Sequence, residues 1–171
     1  SLASMNFLKA KQNIIINGKT GCGKSFLAQA LGNRAIYEGF TVYYIRTSTL
    51  LEEIKLSRID GTYTNLVKRF ARYKLLILDD FGVSPISVDD ATNLFEIIEI
   101  RSQLSSTIIT SQLPVKDWYG YLQNNTVADA ILDRVVHSSH RIEIEGDSLR
   151  AKYSNLNQKF GDCSEVCVNN W

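Results

Sequence analysis

The chain has 171 residues, of which 44% are apolar and 22% charged, and its formal net charge is +1 at pH 7. This length and composition are typical of one globular domain, and they exclude a polycation that binds nucleic acid through its overall charge. No apolar run approaches the roughly 18 residues of a membrane span and no signal peptide precedes the first predicted strand, so we expect no membrane partner. The three cysteines, one inside a glycine-rich loop, favour a reducing compartment and hence the cytoplasm.

We expect residues 1–12 to be the remnant or stump of an N-terminal segment. The sequence that follows them predicts a strand, a glycine-rich loop and a helix. Residues 14–16 form a β-branched apolar run, typical of a strand buried on both faces. Residues 18–25 fit the pattern G-x-x-x-x-G-K-[ST] at every position. Backbone N–H groups of such a loop surround phosphate oxygens, while Lys24 would reach the β- and γ-phosphates and the Ser25 hydroxyl would ligate Mg²⁺. The pattern predicts a nucleoside triphosphate site made by Gly18, Lys19, Thr20, Gly21, Cys22, Gly23, Lys24, Ser25 and Phe26.

Helical and strand patterns alternate along the rest of the chain. Predicted helices cover residues 25–38, 50–57, 63–73, 87–104, 115–122 and 127–137, and predicted strands cover residues 41–45, 75–78, 107–110 and 141–144. We expect Ser48 or Thr49 to cap the second helix, Thr126 to cap the last one, and Leu104 to face the core. The alternation predicts a parallel sheet covered on both faces, which is an α/β three-layer domain.

Two aspartates come directly after the apolar run 75–78, at the edge of the sheet where ligands bind. Asp79 would contact Mg²⁺ directly or through water, and Asp80 would orient and polarise the attacking water. Adjacent strand residues point to opposite faces, but past the end of the strand both acids can approach one site. The alternative, two solvated acids in a turn, is weakened by the phosphate loop upstream.

Two further segments supply candidates for contact with the γ-phosphate. The third apolar strand ends in Thr110, Ser111 and Gln112, and we expect Ser111 to sense the γ-phosphate or position water, with Gln112 second. A plain turn before the next proline is the alternative. Arg134 lies off the apolar stripe of its helix. It either pairs locally with Asp133 or Asp129, or reaches the γ-phosphate of a neighbouring subunit.

Together these motifs resemble the AAA+ ATPases of the IstB type, the ATP-binding helpers of bacterial transposition, which are related to the DnaC and DnaI helicase loaders. The resemblance is carried by residues 18–32, 75–82, 106–114 with Trp118, 128–137 and 141–150. It implies a P-loop AAA+ ATP-binding domain over residues 13–152 and a C-terminal tail over residues 153–171, with the helical lid absent or reduced.

The resemblance also implies roles for individual residues. Lys24 and Ser25 would bind the phosphates and Mg²⁺, Asp79 would contact the metal, and Asp80 would be the hydrolytic base. Ser111 would be the first sensor and Arg150 a second sensor. Arg134 would be an arginine finger that acts in trans on the site of a neighbouring subunit. Most AAA+ proteins carry Glu at the position of Asp80, so we expect the shorter acid to slow hydrolysis.

The implied function is ATP hydrolysis by a homo-oligomer that assembles on DNA and assists a transposase. The expected sequence-independent DNA face carries Lys55, Arg58, Lys68, Arg69 and Arg72. A solvated helix face is the alternative explanation of that cluster. The alternatives for the whole chain are a loader that acts on a replicative helicase, a small-molecule kinase built on the same phosphate loop, and a switch that binds ATP but barely hydrolyses it.

Overall fold

Parallel strands form one sheet in the computed structural model, which describes residues 4–146. The strands are β1 Asn13–Gly18, β2 Val42–Arg46, β3 Leu75–Phe81, β4 Ser106–Ser111 and β5 Ser139–Ile144. Their order across the sheet is β2-β3-β4-β1-β5, and every neighbouring pair is parallel. All carboxyl ends therefore lie at one edge of the sheet and all amino ends at the opposite edge.

Helices connect the strands and lie on both faces of the sheet. Their bounds are α1 Asn6–Lys9, α2 Lys24–Tyr37, α3 Thr47–Ile59, α4 Tyr63–Arg72, α5 Val88–Arg101, α6 Trp118–Tyr121 and α7 Asn125–Val136, and a 3₁₀ turn at Val115–Asp117 precedes α6. None of the helices within residues 4–146 is long and apolar enough to span a membrane.

The core has two parts because alternate strand residues point to opposite faces. Ile15 and Leu76 belong to a cluster with apolar residues of α3, α4, α5 and α7. Ile14 and Ile77 belong to a second cluster with residues of α1 and α2. The expected three-layer α/β architecture with a parallel sheet is confirmed.

Several predicted boundaries and orientations were wrong. The helix α3 begins at Thr47 rather than after a cap at Ser48 or Thr49, and the Thr47 hydroxyl donates a hydrogen bond to the backbone oxygen of Asp79 at 3.0 Å. The cap of α7 is Asn124, whose side chain accepts from the Val127 N–H, not Thr126. The helix α5 ends at Arg101, so Leu104 lies outside it and is 61% exposed.

Arg101 occupies a buried position at the end of α5. Its guanidinium donates to the backbone oxygens of Phe70 at 2.6 Å, Tyr73 at 2.9 Å and Ser106 at 2.7 Å. Burial lowers its pKa to about 10, so the group stays charged at neutral pH. The three carbonyls compensate the cost of burying that charge and join α4 and α5 to β4.

Residues 4–12 pack against the sheet. Met5, Phe7 and Leu8 are buried in the second cluster, and the Ser106 hydroxyl donates to the backbone oxygen of Phe7 at 3.3 Å. The apolar content of this segment is the sequence signal for that packing.

Candidate nucleotide-binding site

The loop between β1 and α2 has the backbone that a phosphate-binding loop needs. Gly21 and Gly23 have φ values of +80° and +96°, which side chains rarely tolerate. Gly23 is the N-cap of α2, so the amino end of a 14-residue helix opens onto the loop. Lys24 is 6% exposed, and its ammonium donates to the backbone oxygen of Lys19 at 2.8 Å. The loop backbone thus holds this cation in place.

Gly18 marks a close approach between β1, β5 and the loop. A Cβ atom there would lie 2.6 Å from the backbone oxygen of Ile144 and 2.7 Å from Cys22 Sγ. Both distances are shorter than van der Waals contact, so only glycine fits at this position. Cys22 itself is 8% exposed. The first glycine of the motif is therefore required by packing against the neighbouring strand.

Hydroxyl groups from several elements surround the Asp79 carboxylate, which is 2% exposed. Its Oδ1 accepts hydrogen bonds from the Ser25 hydroxyl at 2.9 Å and from the Thr110 hydroxyl. Its Oδ2 accepts from the Tyr44 hydroxyl. Burial and the bond to Asp79 raise the pKa of Tyr44, so its hydroxyl remains a donor at neutral pH.

A bulge in β3 separates the two acids. The strand was expected to end before them, but it continues to Phe81, with a register shift between Leu78 and Phe81. Asp80 has φ +58°, and its N–H donates to the Thr110 hydroxyl at 3.0 Å. Phe81 is fully buried against Trp118, which fixes the chain beyond the bulge. The irregular backbone lets Asp80 face the cleft while Asp79 stays buried.

A cleft of about 500 Å³ lies at the carboxyl ends of the strands. Its lining includes residues of the loop and of three strand ends, namely Thr20, Gly21, Gly23, Lys24, Ser25, Phe26, Arg46, Asp80, Val83 and Gln112. The Nε of Arg46 lies 3.9 Å from Asp80 Oδ2, and Phe26 is 78% exposed. Loop N–H groups, two cations and one carboxylate thus face the same space, which suits a phosphorylated ligand and a water molecule.

Ser111 and Gln112 differ in what they contact. The Ser111 hydroxyl is fully buried, lies 2.8 Å from the backbone oxygen of Phe81, and accepts from the Leu113 N–H at 3.0 Å. It shapes the turn after β4 and does not line the cleft. Gln112 lines the cleft, and its Oε1 accepts from the Thr20 hydroxyl at 2.6 Å. The geometry therefore favours Gln112 over Ser111 as the residue that contacts the phosphate loop.

Arg134 lies far from the chain's own nucleotide cleft. It pairs with Glu99 of α5, not with Asp133 or Asp129, and its Nη1 donates to the backbone oxygen of Ala130 at 3.2 Å. The hydrogen bond with Glu99 raises its pKa. Arg134 and Glu99 line a second cleft of about 650 Å³ beside Asn13, at the amino ends of the strands. This is the edge of the sheet opposite the phosphate loop.

The predicted DNA face is partly neutralised by acidic side chains. Ion pairs join Lys55 to Asp90 at 3.0 Å, Arg58 to Glu96 at 3.0 Å, and Arg69 to Glu53. Lys68 and Arg72 are exposed and form no ion pair with another residue in the range 4–146. These two residues remain the cations of this face that are available to a polyanion.

Two predictions concern residues outside the described range. Arg150, the expected second sensor, lies there, as does most of the chain after β5, where a lid would follow. Within the described range, Tyr44, Arg46 and Thr47 lie beside the two acids but were not candidates from the sequence. The signal that could have found them is the position of β2 next to β3, where Arg46 pairs with Asp79 in register.

The sheet order, the phosphate loop after β1 and the acids on β3 define a P-loop ATP-binding domain of the AAA+ class. Among solved structures, the DnaC helicase loader is similar with a TM-score of 0.71 and 23% identity, over 84% of this chain and 87% of that one. AMPPCP-bound DnaA from Aquifex aeolicus has a TM-score of 0.68 and 21% identity, over 96% of this chain and 51% of that one. At these identities the likeness is one of fold.

Residues 1–157 match the model of the IstB-like ATP binding proteins, and the chain belongs to this family. It is 46% identical over 145 residues to a relative from Sinorhizobium fredii that carries the name of an insertion sequence ATP-binding protein, covering 85% of this chain and 59% of the relative. A relative named for the insertion sequence IS232 of Bacillus thuringiensis is 36% identical over 149 residues, covering 87% of this chain and 60% of that protein. The chain spans about three-fifths of the length of these relatives. The resemblance inferred from the sequence is confirmed.

Proposed function

We propose that this chain hydrolyses ATP, and that it does so in an assembly on DNA that assists a transposase. The observation that carries the proposal of hydrolysis is the bulge in β3, which directs Asp80 into the cleft while Asp79 stays hydrogen-bonded to Ser25. A site that only bound nucleotide would need the phosphate loop but no second carboxylate facing the cleft.

Several residues in or beside the cleft have roles in this proposal. Lys24 binds the β- and γ-phosphates, and the oxygens of Ser25 and Asp79 suit Mg²⁺, which takes oxygen ligands. When bound, Mg²⁺ would neutralise charge on the phosphates. Asp80 orients a water molecule and accepts its proton as the water oxygen bonds to the γ-phosphorus. The bond to the bridging oxygen breaks, and ADP leaves with the electron pair. Gln112, bonded to Thr20, senses the γ-phosphate.

Assembly is proposed because Arg134 lies at the amino ends of the strands and the nucleotide cleft lies at their carboxyl ends. Arg134 can complete a neighbour's site only if subunits associate head to tail, a contact that generates rings or helical filaments. The side chains of Arg134 and Glu99 are 29% and 46% exposed, so a neighbouring subunit could reach them. Because Arg134 is paired with Glu99, it would have to leave this ion pair to contact the neighbour's phosphate.

The partner is proposed from the relatives, whose names place them in insertion sequences. Lys68 and Arg72 would contact DNA phosphates without reading sequence. A helicase loader is the second candidate, favoured by the similarity of fold to DnaC and to DnaI, the latter with a TM-score of 0.72 and 22% identity over 83% of this chain. Stimulation by a replicative helicase in the absence of DNA would favour the loader.

Mixing two inactive variants tests the shared site. The Asp80→Asn variant lacks the proposed base but retains the arginine finger Arg134. The Arg134→Ala variant lacks the arginine finger but retains the base Asp80. We expect each variant alone to hydrolyse ATP at background rate, and an equimolar mixture on duplex DNA to regain activity, since about a quarter of randomly mixed interfaces combine an intact base with an intact finger. The wild-type rate per subunit should also rise with protein concentration. A mixture no more active than its components, with a wild-type rate independent of concentration and DNA, would refute the shared site.

A further inference from the structure

The Asp79 carboxylate is held without a cation. No lysine, arginine or histidine within residues 4–146 forms an ion pair with it. Its three side-chain partners are the neutral hydroxyls of Ser25, Tyr44 and Thr110, which come from α2, β2 and β4. A buried carboxylate needs hydrogen-bond donors, and a lysine or arginine would form stronger hydrogen bonds with it than these neutral hydroxyls do.

The three hydroxyls fix the orientation of the Asp79 carboxylate in addition to supplying its hydrogen bonds. Oδ2 has Tyr44 as its partner, and Oδ1 has Ser25 and Thr110. Because β3 lies between β2 and β4, these hydroxyls approach from both sides of the strand. Thr110 also accepts from the Asp80 N–H at 3.0 Å, so one hydroxyl connects both acids. Rotation of the carboxylate would break hydrogen bonds at both oxygens.

We infer that Tyr44 and Thr110 are positioning residues that hold the Asp79 carboxylate for the Mg²⁺ that accompanies the nucleotide. The inference rests on the proposed function, because it takes the magnesium–nucleotide complex as the ligand. Neutral donors orient Asp79 without cancelling its charge, so the carboxylate keeps its full attraction for a divalent cation. A lysine or arginine in the place of Tyr44 would compete with that cation.

The test separates metal binding from folding and from nucleotide binding. A fluorescent ATP analogue is titrated into the full chain in EDTA, and Mg²⁺ is then titrated at fixed nucleotide. We expect Tyr44→Phe to raise the half-saturating Mg²⁺ concentration about 10-fold to 100-fold, the usual effect of removing a group that orients a metal ligand. Affinity for the nucleotide in EDTA should change by less than about twofold, since Tyr44 does not line the cleft.

Tyr43→Phe is the matched control. Tyr43 is the neighbouring residue on β2, and its ring packs edge-on against Phe70 with centroids 5.5 Å apart, away from Asp79. This variant should bind Mg²⁺ as the wild type does. Equal Mg²⁺ dependence in Tyr44→Phe and Tyr43→Phe would overturn the inference. So would a Tyr44→Phe variant that loses nucleotide affinity equally with and without Mg²⁺, because that result indicates a structural role.

Thr110 supplies an independent pair of variants should Tyr44→Phe fail to fold. Thr110→Val removes the hydroxyl and keeps the shape, and Thr110→Ser restores the hydroxyl. We expect the valine variant to need more Mg²⁺ and the serine variant to behave as the wild type, and equal values for the two would overturn the inference. A wild-type chain whose nucleotide binding ignores Mg²⁺ would instead refute the proposed metal site, so the two failures are distinguishable.

Discussion

Replacing Gly18 with alanine tests whether the phosphate loop depends on the contact between β1 and β5. The added Cβ would lie 2.6 Å from the Ile144 backbone oxygen and 2.7 Å from Cys22 Sγ. The Ile144 oxygen cannot retreat without disturbing the register in which Gly18 pairs with Ile144. The loop must therefore move, and its N–H groups move with it.

The size of the effect follows from the two close contacts. Overpacking of this kind costs about 1–3 kcal/mol. If binding the nucleotide must restore the original loop position, that cost weakens affinity by about 5-fold to 150-fold. Titration with a fluorescent nucleotide measures this affinity. Adding Cys22→Ala removes only the contact with sulfur, so the double variant should recover affinity in part.

Gly120→Ala is the matched control, because a Cβ at Gly120 meets no atom within 4 Å. Gly120 lies in α6, so alanine should leave nucleotide affinity unchanged and raise stability by roughly 0.5–1 kcal/mol. Gly18→Ala affinity within about twofold of the wild type would refute the reasoning, since the predicted minimum is roughly fivefold.

Three further predictions concern the base, the buried arginine and the DNA face. Asp80→Asn should lower ATP hydrolysis at least about 100-fold in a phosphate-release assay, with nucleotide affinity retained; unchanged turnover would remove Asp80 as the base. Arg101→Met leaves three backbone carbonyls without the guanidinium donor and should lower the free energy of unfolding, measured by urea titration, by about 3–5 kcal/mol. Arg34→Met, at an exposed site, should lower it by less than about 1 kcal/mol. Lys68→Ala with Arg72→Ala should reduce the dependence of log affinity for duplex DNA on log salt by about two, and an unchanged slope would place the DNA elsewhere.

Local patterns predicted the elements of this fold well, because each signal lies within a few residues. The isoleucine run, the glycine spacing and the following amphipathic stretch predicted β1, the loop and α2. Alternation of strands and helices predicted the parallel sheet. Neither prediction required knowledge of contacts between distant residues.

What could not be predicted depends on partners that are distant in sequence. The bulge at Asp80 is stabilised by Phe81 packing on Trp118 and by Thr110, and nothing in the run of residues 75–81 signals it. Ser111 and Gln112 are adjacent polar residues at the end of the third predicted strand, and only their contacts with Phe81 and Thr20 distinguish them. Helical periodicity alone placed Leu104 inward, since the pattern did not show that α5 ends at Arg101.

The order of strands has a consequence for synthesis of the chain. The strand β1 carries the phosphate loop and is made before its neighbours β4 and β5, which begin at residues 106 and 139. Until β4 and β5 have both left the ribosome, β1 cannot be hydrogen-bonded on both sides, and closing such long loops is slow. Gly18 packs on Ile144, so the loop acquires its final shape only when β5 is in place. Nucleotide can therefore act as a ligand that stabilises the finished fold, and not as a template for its early stages.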